Sequence, residues 1–311
     1  MSTRILLDSG PSGPLTLHRV QDWLRCRRFF ALSRRYPPFP SGMPGRAPLV
    51  RGSFVHVGLA HVFARKMAVQ RGADPEMYYP PLEAIELARV AMRAEFGNFV
   101  DTEVDLARRV VTAYEREHRH EERYEVLYVE QVFTISVTSP VTGRVWQYQQ
   151  RPDLIVRDRY TRKVQVHDHK THRGNDFDAA MEGYAPAVQF LSYSWWGSQF
   201  FDEAWGGTWI HVLSTSDVGR AEVRPIVPAP NLVRLFPLIY TQSEEEMAAA
   251  AVSRLGLDAY TPAANEQVCY TRYGKCDFWD VCLWGKPGTA IREELVQVRV
   301  TADSGAFPRG D

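Results

Sequence analysis

The fold of this chain is decided by two short stretches, RPDLIV at residues 151–156 and VQVHDHKT at residues 164–171. Each contains a run of apolar, mostly β-branched residues, which favours a buried strand. A polar segment separates the two runs, so we expect the chain to reverse there. Because side chains alternate along a strand, Asp168 and Lys170 should lie on the same face. If Asp153 pairs alongside them, two carboxylates and one ammonium group converge in a small space.

Converging carboxylates indicate a metal site, because two such groups held close together are costly unless a cation lies between them. Oxygen ligands suit Mg²⁺ or Mn²⁺, and either ion can polarise a scissile phosphate and lower the pKa of a bound water. Lys170 could then orient that water or stabilise developing charge. The simpler alternative is a surface hairpin with ordinary Asp and Lys side chains. Only five of the 37 Lys and Arg residues are Lys, so a Lys at this position is improbable by chance.

The rest of the chain predicts helices before and around a mixed sheet. Apolar residues at helical spacing predict helices over residues 15–36, 53–71, 81–96, 103–118, 179–200 and 231–255. Alternating and β-branched runs predict strands over residues 124–137, 144–150, 154–156, 164–167, 208–213 and 221–227. A turn at residues 140–143 should join the first two strands as a hairpin. We therefore expect an α/β fold in three regions. These are an N-terminal helical region at 1–120, a core with a central mixed sheet flanked by helices at 121–255, and a Cys-rich module at 256–311.

Composition and charge are those of an ordinary globular protein. Hydrophobic residues make up 45% and charged residues 24%, and the formal net charge is zero. Zero net charge argues against a uniformly basic surface for nucleic acid, although a local groove needs only a few cations. No apolar run approaches the roughly 18–20 residues of a membrane span, and the N-terminus shows no export signal. We expect a cytoplasmic protein without structural disulfides.

Two further motifs flank the Asp and Lys residues. Gly52 and His56 form a Gly-x-x-x-His motif upstream, and Gln189 and Tyr193 form a Gln-x-x-x-Tyr motif downstream. In this order and spacing, the motifs across residues 15–285 resemble those of the RecB-like branch of the PD-(D/E)XK nucleases. The resemblance implies a restriction-endonuclease-like core with His56 as a third metal ligand. It also implies that Gln189 and Tyr193 lie near the site and the DNA.

The resemblance bears on three neighbouring residues as well. His169 occupies the variable middle position of the Asp-x-Lys motif, where it would act as a metal ligand through its backbone carbonyl. Glu130, in the strand before the hairpin, could serve as an accessory acid. His61 lies on the same predicted helix as His56 and competes with it as the third ligand. A lone helical His is more often structural than a ligand.

The four cysteines form a second pattern. Cys26 lies upstream of the motifs, and Cys269, Cys276 and Cys282 lie downstream of them. From the residues alone, four thiolates suit a [4Fe–4S] cluster or a structural Zn²⁺ ion equally well, and free thiols are a further alternative. The placement resembles the iron–sulfur module of CRISPR-associated exonucleases and AddB-type nucleases. That resemblance implies a [4Fe–4S] cluster with a structural role.

Together the resemblances imply a Mg²⁺- or Mn²⁺-dependent deoxyribonuclease, in the first place an exonuclease that acts on single-stranded or duplex DNA ends. Its role would be recombination, repair, phage replication or CRISPR adaptation. The alternative from another class is a catalytically silent module that holds DNA ends, and an RNA nuclease would use the same site. The chain lacks a Gly-x-x-x-x-Gly-Lys-Ser/Thr phosphate-binding loop. A helicase motor, like any recombination or CRISPR partner, would therefore be a separate chain.

Overall fold

The computed structural model describes residues 4–7, 16–35, 47–96, 100–118, 122–174, 176–184, 187–253, 270–271 and 274–275. The helices are α1 (Thr16–Arg25), α2 (Arg27–Arg35), α3 (Ala47–Gln70), α4 (Pro81–Phe96), α5 (Val100–His118), α6 (Phe177–Tyr184), α7 (Val188–Phe201) and α8 (Pro230–Ala251). The strands are β1 (Tyr124–Val129), β2 (Phe133–Thr138), β3 (Val145–Gln150), β4 (Leu154–Asp158), β5 (Val164–His172), β6 (Trp205–Ser214), β7 (Ala221–Ile226), β8 (Tyr270–Thr271) and β9 (Gly274–Lys275).

The chain divides into two compact units. One is formed by Met1–Leu17 and Ser41–Thr241, and the other by His18–Pro40 and Gln242–Asp311. Across the described residues, none of the helices combines the length and the apolar character that crossing a bilayer requires.

A five-stranded mixed sheet forms the core of the first unit. Its strands lie in the order β1-β4-β5-β6-β7, with β5 and β6 parallel and every other neighbouring pair antiparallel. The apolar run of β4 reflects burial on both faces of the sheet. Leu154 and Val156 belong to the apolar cluster that includes α3 and α5, whereas Ile155 belongs to the cluster that includes α7. The predicted mixed sheet flanked by helices is therefore confirmed.

Close packing around Gly58 of α3 holds the helices on one face together. A Cβ atom added at Gly58 would lie 2.8 Å from side-chain atoms of both Ile85 in α4 and Val111 in α5. Both of these side chains are fully buried, so neither has free space to move into. Glycine at this position lets the three helices approach one another, and it fixes the placement of α3, which also carries His56.

The prediction of one strand over residues 124–137 is wrong, because the chain breaks at Glu130 into β1 and β2. Glu130 has a φ of 49°, in the left-handed region that non-glycine residues seldom adopt. Its backbone N–H donates to the carbonyl oxygen of Asp153 at 3.1 Å. β1 stays in the central sheet, whereas β2 pairs with β3 as a separate hairpin. The apolar pattern continues through both strands and gives no sign of the break.

Two predicted helices are also divided. The helix predicted over residues 15–36 is interrupted at Cys26, between α1 and α2. The helix predicted over residues 179–200 separates into α6 and α7. Pro186 lies between them in the sequence, and proline has no N–H with which to continue a helix.

Candidate active site

Three side chains with metal-ligand atoms meet beside the start of β4. Asp153 immediately precedes this strand, His56 lies on α3, and Glu130 lies at the break between β1 and β2. One ligand atom from each residue lies within 4.8 Å of the others, and Nδ1 of His56 is 3.2 Å from Oδ2 of Asp153. Two carboxylates suit Mg²⁺ or Mn²⁺, and the imidazole adds a nitrogen ligand. The donor set therefore fits a divalent cation.

Burial and the neighbouring charges shift the pKa values of these three residues strongly and in different directions. Burial raises the pKa of Glu130, and the charge of Asp153 raises it further, to about 8. Burial also acts to raise the pKa of Asp153, but the charge of His56 and hydrogen bonds from His169 and His56 hold it well below its usual range. Burial acts to lower the pKa of His56, whereas the charge of Asp153 raises it to about 9. Neighbouring groups with pKa values pushed in opposite directions mark a candidate functional site.

Asp168 and Lys170 form the second part of the site, on β5. Asp168 is fully buried, and the ammonium group of Lys170 contacts its Oδ2 atom. Burial raises the pKa of Asp168, although the charge of Lys170 opposes this change. Burial acts to lower the pKa of Lys170, but the charge of Asp168 outweighs it and raises that pKa. Lys170 is therefore a partly exposed cation next to a buried carboxylate. Asp168 is not one of the three residues whose ligand atoms meet beside β4, and its role as a metal ligand stays a prediction.

Two side chains of α7 extend this part of the site. Gln189 and Tyr193 are one helical turn apart, so they lie on the same face of α7. The side-chain amide of Gln189 donates to Oδ1 of Asp168 at 2.9 Å and to the hydroxyl oxygen of Tyr193 at 2.9 Å. Tyr193 is buried, and its hydroxyl accepts from Gln189 rather than bonding to the carboxylate. Its link to Asp168 runs through Gln189.

His169 reaches the ligand set through both its backbone and its ring. Its N–H donates to Oδ2 of Asp153 at 2.7 Å, and Nδ1 of its ring lies 3.4 Å from the same oxygen, so both contacts fix the carboxylate against β5. The side chain is buried, and its ring centroid lies 4.8 Å from that of His211 on β6. The role of the His169 carbonyl as a metal ligand stays a prediction.

The second helical candidate, His61, has a different environment from His56. It is fully buried, and its ring nitrogens lie 3.0 Å from the backbone oxygen of Tyr79 and 3.0 Å from the backbone N–H of Leu7. Both nitrogens therefore hold local backbone in place. A structural role accounts for His61, whereas His56 faces the carboxylate of Asp153.

Glu130 has a larger part in the site than its sequence position indicates. Its carboxylate is buried and lies 3.2 Å from Nε of Arg151, at the other end of the β2–β3 hairpin. The left-handed backbone at this residue is of the kind that clusters at functional sites. In the sequence, Glu130 is one of two acidic residues in an apolar strand pattern, and nothing there distinguishes it from Glu125.

Only one of the four predicted cluster ligands lies among the described residues. Cys26 is buried, and its Sγ atom accepts a hydrogen bond from the backbone N–H of Phe29 at 3.4 Å. Hydrogen bonds to sulfur are among the features that tune iron–sulfur clusters. Cys269, Cys276 and Cys282 lie outside the described residues.

The mixed sheet brings the carboxylates and the lysine together in the arrangement that the sequence motifs predict. The sequence matches the model of the PD-(D/E)XK nuclease superfamily over residues 14–283, so the chain belongs to this superfamily. It is therefore a nuclease, and nucleases of this superfamily use divalent metals.

The chain is also similar to solved structures, whereas none of the curated proteins matches it. A candidate exonuclease from Eubacterium rectale is 14% identical with a TM-score of 0.44, and the match covers 89% of this chain and 91% of that one. The protein SSO0001 is 14% identical with a TM-score of 0.32, and the match covers 51% of this chain and 70% of that one.

Proposed function

We propose that the chain is a RecB-like, Mg²⁺- or Mn²⁺-dependent deoxyribonuclease that digests DNA from its ends. The observation that carries the proposal is the ligand set of His56, Glu130 and Asp153, combined with the Asp168–Lys170 pair. A module that only held DNA ends would not need several buried carboxylates in one place, because their mutual repulsion is costly. Membership of the nuclease superfamily supports the same conclusion.

The residues of the site would have different roles in phosphodiester hydrolysis. His56, Glu130 and Asp153 would hold the divalent cation. When bound, the cation polarises the scissile phosphate and lowers the pKa of a water molecule. Lys170 can donate to a phosphate oxygen and stabilise the charge that develops there. The buried carboxylate of Asp168 holds the ammonium group in place and keeps it protonated.

Cleavage of end-labelled DNA tests the proposal. Single-stranded and duplex DNA, labelled at either end, are incubated with the protein in Mg²⁺, in Mn²⁺ and in EDTA. Metal-dependent loss of nucleotides from an end is expected. Asp168→Ala should lower the cleavage rate by orders of magnitude, because it removes the partner of Lys170. Asp178→Ala is the matched control, since Asp178 is an exposed residue on α6, and it should cleave at the wild-type rate.

Three outcomes would contradict the proposal or change it. If the folded wild-type protein binds DNA yet leaves it intact in both metals, the silent DNA-end-binding module is the better description. If Asp168→Ala cleaves at the wild-type rate with its fold intact, the site assignment is wrong. If RNA is cleaved and DNA is not, the substrate class is wrong while the site stands.

We also propose that Cys26, Cys269, Cys276 and Cys282 bind a structural [4Fe–4S] cluster. Support comes from their number, from their placement on either side of the nuclease motifs, and from the N–H···S hydrogen bond at Cys26. The protein would act in the cytoplasm, in recombination, repair, phage replication or CRISPR adaptation.

A further inference from the structure

Behind the candidate site, four side chains of the first unit form a buried chain of hydrogen bonds, here called the histidine relay. It begins at Tyr114 of α5, whose hydroxyl is 2.7 Å from Nδ1 of His211 on β6. Nε2 of His211 is 2.7 Å from Nδ1 of His167 on β5. Nε2 of His167 is 3.0 Å from Oε1 of Gln165, also on β5. None of these residues is more than 4% exposed.

The chemistry of the donors and acceptors gives the relay a single direction. Oε1 of Gln165 can only accept, so Nε2 of His167 carries a hydrogen. Nδ1 of a neutral His167 is then an acceptor, and Nε2 of His211 donates to it. Nδ1 of His211 is left as an acceptor, and the hydroxyl of Tyr114 is its donor. Each hydrogen bond sets the tautomer of the next ring, so removing one member leaves a buried polar atom unsatisfied.

The relay lies directly against the residue that holds Asp153. His169 and His211 are partners in the pairing of β5 with β6, and their ring centroids are 4.8 Å apart. The ring of Tyr114 packs edge-on against that of His169, at 5.9 Å. The backbone N–H of His169 donates to Asp153. The relay therefore connects α5 and β6 to the segment of β5 that orients the Asp153 carboxylate.

We infer that Tyr114 and His211 are positioning residues for the metal ligand Asp153. They fix the rings around His169 and keep this part of β5 in place, so that the His169 N–H stays on the carboxylate. Neither residue touches the ligand set itself. Residues that orient metal ligands from outside usually change metal affinity about 10–100-fold when they are replaced. The inference rests on the proposed function, because that function assigns Asp153 to the metal.

The test is direct titration of the purified full-length protein with Mn²⁺ by calorimetry, without DNA. Tyr114→Phe removes only the hydroxyl and keeps the ring. We expect its Kd for Mn²⁺ to rise by up to about 10-fold, the lower end of the range for groups bonded directly to a ligand, because Tyr114 acts through His169. His211→Leu should have at least as large an effect. His61→Gln is the matched control: it also disrupts a buried histidine with two bonded nitrogens, but one whose bonds go to the backbone of Leu7 and Tyr79, outside the relay. The melting temperature and the cleavage rate of each variant are measured in parallel.

The inference is supported if Tyr114→Phe weakens Mn²⁺ binding while His61→Gln, at an equal or lower melting temperature, binds like wild type. It is overturned if Tyr114→Phe binds Mn²⁺ like wild type, or if His61→Gln weakens binding equally, since general loss of stability would then be the cause. If His211→Leu does not fold, Tyr114→Phe alone decides. Wild-type protein that neither binds Mn²⁺ nor cleaves DNA overturns the proposed function too. Wild-type binding that Asp153→Asn abolishes and Tyr114→Phe leaves intact overturns the positioning role alone.

Discussion

The bridge from Tyr193 through Gln189 to Asp168 predicts a graded set of cleavage rates. Gln189→Ala removes a hydrogen bond to a buried carboxylate, and a bond to a charged group contributes about 1.5–3 kcal/mol. Because about 1.4 kcal/mol corresponds to tenfold in rate, cleavage should fall about 10–150-fold if the bond is needed in the transition state. Tyr193→Phe removes a bond between neutral groups, which contributes about 0.5–1.5 kcal/mol. Its rate should fall about 2–13-fold.

Single-turnover cleavage of end-labelled DNA at saturating Mn²⁺ measures these rates, because product release does not contribute to a single turnover. Tyr148→Phe is the matched control, because Tyr148 is equally buried and its hydroxyl bonds to Gln150 at 3.4 Å and to Ser192 rather than to Gln189. The double variant of Gln189→Ala with Tyr193→Phe should cleave no more slowly than Gln189→Ala alone, since Tyr193 acts through Gln189. Multiplied losses in the double variant would refute this reasoning, and so would equal losses from Tyr193→Phe and Tyr148→Phe.

Three further predictions concern metal affinity, packing and the cluster. Glu130→Gln should raise the Mn²⁺ concentration needed for half-maximal cleavage, because one of the two carboxylates in the ligand set is lost; unchanged Mn²⁺ dependence would remove Glu130 from the site. Gly58→Val should lower the unfolding free energy by about 1–3 kcal/mol in urea denaturation, because its side chain would overlap Ile85 and Val111; a variant as stable as wild type would show that the helices can move apart. Freshly purified protein should be brown with broad absorbance near 400 nm and about four irons per chain, and Cys26→Ser should lose both; a colourless protein with one zinc would exclude the cluster.

Local sequence patterns predict the parts of this fold that depend on neighbouring residues. The apolar runs around Asp153 and Asp168 predict β4 and β5, because burial on both faces leaves a continuous apolar stretch. The turn at residues 140–143 predicts the β2–β3 hairpin, which the structure contains. Alternation along β5 predicts that Asp168 and Lys170 share a face, and the ammonium contact between them follows.

The features that the sequence does not reveal depend on distant contacts. The break at Glu130 is stabilised by a hydrogen bond to the carbonyl of Asp153. Glu130 and Asp153 are separated in the sequence by the whole β2–β3 hairpin. The histidine relay requires β5 and β6 to be parallel neighbours, and only then do His167 and His211 meet. In the sequence these residues are two ordinary histidines in apolar strands, with nothing to indicate that they pair.

The break at Glu130 has a consequence for how tolerant this protein is of insertions. The chain leaves the central sheet at Glu130 and re-enters it at Asp153, and both residues are candidate metal ligands. A hydrogen bond between the two joins the ends of the hairpin that lies between them. The entropic cost of closing a loop rises only slowly with the length of the loop. The hairpin can therefore change in length without moving either acid. A peptide tag, a fluorophore attachment site or an extra recognition element inserted at the hairpin tip should therefore be accommodated while the geometry of the acids is preserved.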